Sequence, residues 1–418
     1  MWRLAPVQAF TIDAKIPLMY LCRSQRRASV YGRTSCCWPP QNAHGKRKGK
    51  SKDKEGQQKM KTHTKMQKIL FIILLIILLI MGTCIVYVLS KLSKLSYDDG
   101  IVTEHILRED VASDNFSTVE VPSEEVEETE ILISDEEAAD LGEAEVILSD
   151  VELKSDKDVF NILLLGTDER KKEFSTNARA DSIMILSLNK RNKTIKLVSL
   201  QRGMGVPVLE GQYEGQYDWI THIFRYGGAA LMLKTVREVL NVDVEYYVRV
   251  NFNTFSELID AVGGVDIVLT EMEAAGLNGE VRTNAMTKQR VSAGENHLDG
   301  YDALQYARLR YTDSDWKRVE RQRNVIQSIV SATEDMGLLQ IDDMLDVILP
   351  LVQTNLTSTD ILGLISYAPA VLGHNFEQMT IPVKGSYGSM KGMGDRNLYA
   401  VDFQTNSDIL REFLYGEK

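Results

Sequence analysis

The chain has 418 residues, of which 59 are acidic and 48 are basic, and its formal net charge is −11. Its four cysteines are Cys22, Cys36, Cys37 and Cys84. The absence of later cysteines excludes a small disulfide-stabilised domain. The roughly 260 residues that follow Asp158 are enough to be stabilised by an apolar core.

Residues 1–68 are predicted to be a basic cytoplasmic tail. From Met1 to Tyr97 the sequence contains 18 Lys and Arg but only 3 Asp and Glu. One interpretation is a disordered tail that faces anionic lipid. The alternative is a mis-assigned start, because Met60 and Met66 lie just before the apolar segment that follows.

Residues 69–90 form an uncharged apolar segment, from Ile69 to Ser90. About 20 such residues span a bilayer as one helix. Basic residues precede the segment, which predicts a single-pass cell-membrane protein with a cytoplasmic N-terminus and an extracellular C-terminal domain. A cleaved signal peptide is the alternative, but the segment is too long for one and no small-residue cleavage site follows it.

Residues 91–158 are predicted to be an acidic extracellular linker. Between Asp98 and Asp158 there are 22 acidic residues and only 3 basic ones. Such a segment repels itself and favours an extended, solvated chain. The apolar clusters at 131–133 and 146–148 leave short strands or interaction patches as the alternative.

Strands and helices alternate from Val159 onwards. Short apolar runs predict strands over 159–165, 182–188, 194–199, 244–250, 265–269 and 379–383. Apolar residues at helical spacing predict helices over 228–240, 253–262, 299–308 and 315–333, with further helices to about residue 372. This order predicts an α/β/α sandwich. We assign the main domain to residues 159–335 and its completion to residues 336–418.

The stretch from Tyr306 to Arg323 concentrates arginines and acids at spacings that bring them within reach of one another. Its candidate site residues are Arg308, Arg310, Asp315, Arg318 and Gln322. Converging guanidinium groups are typical of phosphate binding, since each offers a planar fork of donors. The alternatives are a solvated helix face formed by Arg318, Arg321 and Arg323, or stabilisation of a helix C-terminus by Arg308 and Arg310.

Two earlier motifs, at 166–170 and 179–181, bring acidic residues that could hold a divalent metal at the same site. Phosphate, metal and arginine together suggest phosphoryl transfer. For Asp168, which follows a strand, capping of a turn is the alternative. His222, His297 and His374 show no metal-ligand spacing and are predicted to be structural.

These motifs resemble, in order, those of the LytR-CpsA-Psr family of Gram-positive cell-wall enzymes over residues 159–330. The matching segments are NILLLGTD (161–168), RADS (179–182), VSLQR (198–202), YGG (226–228), DAVGGVD (260–266), LDG (298–300), ALQYAR (303–308) and RVERQ (318–322). Each segment alone is weak evidence for the family, and the resemblance depends on all of them occurring in the same order.

The resemblance implies a mixed central β-sheet and a membrane-anchored phosphotransferase. Such enzymes move a glycopolymer, such as teichoic acid or capsule, from polyprenyl pyrophosphate to peptidoglycan. Arg308, Arg310 and Asp315 would be catalytic. Arg170, Arg179, Arg202, Arg318 and Gln322 would bind the pyrophosphate. Asp168 and Asp181 would bind Mg²⁺, with Mn²⁺ as an alternative. No nucleic-acid partner is expected, because nothing resembles a helix-turn-helix.

Three positions depart from the family pattern. Gln201 stands where the family usually has Pro, Gly203 where it usually has Asp, and 219–221 replace a Lys-x-Asn pair. Two other functions remain open, and the departures favour the first of them. One is a non-catalytic scaffold that binds lipid-linked polymer, and the other is a polyprenyl pyrophosphate hydrolase with water as the acceptor.

Overall fold

The computed structural model describes residues 79, 82–83, 86–98, 132–150, 152–169, 174–175, 177–310, 314–334, 336–365 and 375–416. The predicted basic tail, most of the predicted transmembrane segment and residues 99–131 lie outside these ranges. Within them, no helix has the length and apolar character needed to cross a bilayer.

A seven-stranded sheet lies at the centre of the domain. All strands of the described residues, including those outside this sheet, are β1 (Ser96–Tyr97), β2 (Val159–Thr167), β3 (Ala180–Asn189), β4 (Thr194–Leu200), β5 (Gly205–Pro207), β6 (Tyr217–Trp219), β7 (Tyr246–Asn251), β8 (Val265–Leu269), β9 (Gly294–Leu298), β10 (Gln353–Thr354), β11 (Asn375–Ile381), β12 (Tyr387–Lys391) and β13 (Asn397–Val401). The order across the central sheet is β1-β10-β7-β2-β3-β4-β11. The pairs β2–β7 and β4–β11 are parallel, whereas β3 is antiparallel to both β2 and β4. The sheet is therefore mixed, as the family resemblance implies.

Helices cover both faces of this sheet. They are α1 (Asp135–Leu141), α2 (Ile220–Leu240), α3 (Phe252–Ala261), α4 (Glu271–Leu277), α5 (Gly300–Arg308), α6 (Asp315–Glu334), α7 (Leu338–Ile348), α8 (Ser358–Ile365) and α9 (Phe403–Tyr415). On one face, alternate strand residues such as Leu163, Ile185 and Val198 pack against α2 and α9 in the first core. Side chains alternate across a strand, so the residues between them face the other way.

The second face is covered by α6 and its neighbours. Arg323 of α6 donates from Nε to Oε1 of Gln378 at 3.0 Å and from Nη1 to Oγ1 of Thr380, and Thr380 lies between the first-core residues Met379 and Ile381 of β11. Helices α3, α4, α5 and α6 form a second core with the antiparallel β8–β9 ribbon. The predicted α/β/α arrangement is confirmed for the described part of the chain.

Much of the described part of the predicted linker belongs to the folded domain. Strand β1 extends the central sheet by pairing with β10. Leu132 and Ile133 are buried in the first core, and Tyr399 donates a 2.8 Å hydrogen bond to Oε1 of Glu137. The prediction of a solvated linker is wrong here because a few apolar residues anchor the segment. Acidic neighbours such as Glu136 remain exposed.

Candidate anion-binding site

One edge of the central sheet collects most of the predicted site residues. Strands β2 and β4 end at this edge and the antiparallel β3 begins there, so we call it the site edge. Asp168 follows β2, Asp181 is the second residue of β3, and Arg202 follows β4. The first turn of α6 adds Asp315 and Arg318. These side chains come from sequence positions far apart but meet in one cluster.

Arg202 is the centre of the cluster. Its guanidinium donates from Nη1 to Oδ1 of Asp181 at 2.8 Å and from Nη2 to Oδ1 of Asp315 at 2.9 Å. The residue is only 1% exposed. A planar guanidinium can span two carboxylates in this way because its N–H groups point in fixed directions in one plane. Arg202 therefore fixes the first turn of α6 against β3.

Arg318 is the second buried cation of the cluster. Its Nη2 lies 3.3 Å from Oδ1 of Asp315 and donates to the main-chain oxygen of Asp181, also at 3.3 Å. Its Nε is buried and has no hydrogen-bond partner among the described residues. Burial and the neighbouring Arg202 lower the pKa of Arg318. An anion placed here would gain a donor and relieve the repulsion between the two guanidiniums.

Asp168 and Arg179 form a second pair at the site edge. Arg179 donates from Nε to Oδ2 of Asp168 and from its backbone N–H to Oδ1, both at 2.9 Å. Burial and the nearby charge of Asp181 nevertheless raise the pKa of Asp168. Two carboxylates thus lie close enough to repel each other.

The remaining carboxylates are held ionised. Burial opposes the charge of Asp181, but the guanidiniums of Arg202, Arg318, Arg179 and Arg310 outweigh it and hold the pKa of Asp181 well below its usual range. The pKa of Asp315 is also lowered, because Arg202, Arg318 and Arg310 outweigh the effect of its burial. Asp315 is therefore a weak base, suited to orienting arginines.

The other predicted residues are less closely joined to this cluster. The Cζ atom of Arg308 lies 4.4 Å from the ring centre of Phe252, so its guanidinium packs over an aromatic face. Gln322 lies one helical turn beyond Arg318 and is half-buried. Arg170 lies outside the described residues. Arg321 and Arg323, for which a solvated helix face was an alternative, are buried and half-buried, respectively.

A buried ion pair that the sequence did not suggest supports the segment after β2. Arg249 of β7 pairs with Glu169, donates from Nε to Oγ1 of Thr167 at 3.1 Å, and lies over the ring of Phe224. It shares a strand face with the buried Tyr247. A charged residue on the core face of a predicted strand was the signal available in the sequence.

The segment that carries Arg308 and Arg310 is also fixed by unpredicted residues. Asn284 donates to the carbonyl oxygen of Arg308 at 2.9 Å and accepts from the backbone N–H of Arg310 at 2.7 Å. The buried Arg321 donates from Nη2 to the carbonyl oxygen of Leu309 at 2.7 Å. Three consecutive residues are thereby held by side chains. No local sequence pattern could reveal these contacts.

A strip of partly exposed apolar side chains leads away from the site edge on the second face of the sheet. It consists of Leu164, Leu186, Val248 and Val250, and we call it the apolar strip. At its far end the rings of Phe160 and Tyr246 stack with centres 5.0 Å apart. From Gly166 to Phe160 the strand covers about 20 Å. Apolar side chains left incompletely covered inside a domain are typical of a ligand pocket.

The site edge thus combines buried guanidiniums, two neighbouring carboxylates and an apolar strip, a combination whose charge and polarity suit an amphiphilic anion. A family model described as LytR_cpsA_psr matches residues 118–410. The chain therefore belongs to the LytR-CpsA-Psr family. The match begins within the predicted linker, which agrees with the buried contacts of Leu132 and Ile133.

Named relatives lie in the same family. The chain is 31% identical over 228 residues to the polyisoprenyl-teichoic acid–peptidoglycan teichoic acid transferase TagT of Bacillus subtilis, covering 54% of this chain and 68% of the relative. It is 33% identical over 228 residues to TagU of Bacillus cereus, with 54% and 69% coverage. A solved structure of TagT bound to LIIa-WTA has 25% identity and a TM-score of 0.50, covering 65% of this chain and 99% of that chain.

Proposed function

We propose that the protein transfers a glycopolymer from polyprenyl pyrophosphate to peptidoglycan. The observation that carries this proposal is that the buried pair Arg202 and Arg318 lies at the site edge, from which the apolar strip leads away. A lipid pyrophosphate likewise joins an anionic group to an apolar chain. The polyprenyl chain would lie along the strip and the pyrophosphate at the arginines. The names of the TagT and TagU relatives, as teichoic acid transferases, support this substrate class.

The reaction follows from the charges at the site edge. An acceptor hydroxyl attacks the phosphorus next to the polymer, a new P–O bond forms, and the bond to the bridging oxygen breaks. Polyprenyl monophosphate leaves, and the proton lost by the hydroxyl is balanced on this phosphate or in solvent. Negative charge grows on the equatorial and bridging oxygens, where fixed guanidiniums stabilise it. Asp315 orients Arg202 and Arg318 for this task.

The donor set suits Mg²⁺ at Asp168 and Asp181, although these carboxylates alone do not complete its coordination. Mg²⁺ commonly binds one or two carboxylates together with substrate phosphates and waters. The repulsion that raises the pKa of Asp168 is also what a divalent cation would relieve. When bound, the ion would neutralise charge on the pyrophosphate. Mn²⁺ has the same preference for oxygen ligands.

Mg²⁺ is expected to raise the melting temperature of the wild-type protein more than that of Asp168→Asn. A ligand at ten times its Kd stabilises by about 1.4 kcal/mol, or roughly 2–4 °C for a domain of this size. In the folded, metal-free protein the pKa of Asp168 is raised, so folding favours its protonated carboxyl. The free energy of unfolding that Asp168 contributes is therefore lost as pH rises above the usual carboxyl pKa of about 3.9. Mg²⁺ needs the ionised form, so its effect should grow over that window.

Asp266→Asn is the matched control, because Asp266 is an exposed aspartate paired with His297 on the β8–β9 ribbon. Its Mg²⁺-dependent shift should equal that of the wild type. Equal shifts in wild type and Asp168→Asn would remove Asp168 from the metal site. The measurement is differential scanning fluorimetry across pH, without substrate, so it does not depend on catalysis.

Acceptor dependence separates the transferase from the hydrolase and the scaffold. With a polyprenyl pyrophosphate-linked disaccharide, release of polyprenyl monophosphate should require added peptidoglycan. Release at the same rate without peptidoglycan would identify a hydrolase. No release under either condition, with tight binding of the lipid, would identify a scaffold. The measurement is chromatography of the lipid products.

The setting of this reaction follows from the sequence. The apolar segment at 69–90 would anchor the chain in the bilayer with the folded domain outside the cell. Both lipid-linked donor and peptidoglycan acceptor are then within reach of the same domain.

A further inference from the structure

Three aromatic rings form a cluster directly beside Asp315. Trp316, the next residue in α6, stacks on Tyr387 of β12 with ring centres 5.6 Å apart and planes at 27°. Tyr387 meets Tyr399 of β13 edge-on at 5.2 Å and 73°. The rings of Trp316 and Tyr399 are 6.1 Å apart. We call these three residues the aromatic platform.

The platform has a rigid base. Tyr399 is 2% exposed, and its hydroxyl donates to Oε1 of Glu137 at 2.8 Å. A Cβ atom at Gly203 would lie only 3.1 Å from Cε2 of Tyr399, so this ring fills the space that a side chain at 203 would need. The departure from the family pattern at Gly203 therefore makes room for the platform.

The outer part of the platform is partly exposed to solvent. Trp316 and Tyr387 are half-buried, whereas Tyr399 is buried beneath them. A pyranose ring has a face of C–H bonds that packs on an aromatic ring, and hydroxyls at its rim that seek polar partners. A partly exposed indole suits such a ring because it offers a large contact area at a low cost in conformational entropy.

Resting on the proposed function, we infer that the aromatic platform binds a pyranose ring of the acceptor glycan and presents its hydroxyl to the phosphate beside Asp315. The residues on which the platform rests indicate whether it binds the acceptor sugar or the donor sugar. Tyr399 belongs to the first core and Tyr387 packs against it, so Trp316, at the start of α6, rests on first-core residues, whereas the apolar strip lies on the second face. In-line transfer needs the nucleophile opposite the leaving group. The leaving lipid phosphate faces the strip, so the acceptor arrives from the platform side.

The first test is the affinity of the full-length protein for a tetramer of β-1,4-linked N-acetylglucosamine, measured by calorimetry. Trp316→Ala should weaken binding about ten-fold or more, which is roughly 1.4 kcal/mol. Trp316→Phe keeps a ring and should lose less than about three-fold. Tyr301→Ala, which removes an exposed aromatic from α5, should bind like the wild type. Unchanged affinity in folded Trp316→Ala would overturn the inference.

The second test is steady-state kinetics with both substrates. Trp316→Ala should raise KM for the acceptor and leave KM for the lipid pyrophosphate within about two-fold. A raised donor KM with an unchanged acceptor KM would overturn the inference in favour of a donor sugar. If Trp316→Ala does not fold by circular dichroism, Tyr387→Leu takes its place with the same expectations. If the wild type lacks transfer, the proposed function fails, and tetramer binding alone still decides on the platform.

Discussion

Arg202→Ala is expected to abolish transfer and to lower the free energy of unfolding by about 3–5 kcal/mol. The substitution leaves Asp181 and Asp315 as largely buried carboxylates that have lost the guanidinium bridging them. It also releases the first turn of α6, which carries Arg318. Chemical denaturation and a transfer assay on the same protein would measure the two effects.

Arg191→Ala is the matched control for this prediction. Arg191 also bridges two carboxylates, Asp156 and Asp158, but its side chain is 54% exposed. Exposed ion pairs contribute little to stability, so this variant should unfold and transfer like the wild type. If Arg202→Ala were as stable and active as Arg191→Ala, the bridging role of Arg202 would be wrong.

Arg310→Lys and Arg308→Lys are each expected to lower turnover about ten-fold or more, equivalent to at least about 1.4 kcal/mol in the barrier. Lysine keeps the charge but loses the planar fork that matches phosphate oxygens. The melting temperature should change little, because both side chains are partly exposed and Asn284 holds their backbone.

Arg237→Lys controls for a purely structural effect of the same substitution. Arg237 lies in the last turn of α2 and pairs with Asp243 and Glu245. Lysine should serve there almost as well, since a helix C-terminus favours any cation. Near-normal turnover in Arg308→Lys and Arg310→Lys would assign both residues to the helix-end role and remove them from the catalytic site.

The elements with strong periodic patterns were predictable from sequence. The predicted strand at 182–188 lies within β3, and the predicted helices at 299–308 and 315–333 match α5 and α6 to within one residue. Elements that are stabilised by residues distant in the sequence were not predictable. Strand β1 has only two residues and pairs with β10 some 250 positions later. Its local sequence therefore carries no usable signal.

The candidate site likewise has a part that was predictable from the sequence and a part that was not. Motif order predicted the residues that meet at the site edge, including Asp181, Arg202 and Arg318. It did not predict that Arg308 packs over Phe252, or that Arg249 and Glu169 form a buried pair. Such contacts depend on how β7 and α3 lie against β2, which a single sequence does not specify.

The most direct test of the central claim follows the phosphate itself. A polyprenyl pyrophosphate-linked disaccharide, labelled with ³²P at the phosphate next to the sugar, is incubated with the protein and peptidoglycan. The proposed reaction predicts that the label becomes covalently attached to peptidoglycan, with one unlabelled polyprenyl monophosphate released for each transfer. Label that remains on the lipid, or leaves as soluble sugar phosphate whether or not peptidoglycan is present, would contradict it.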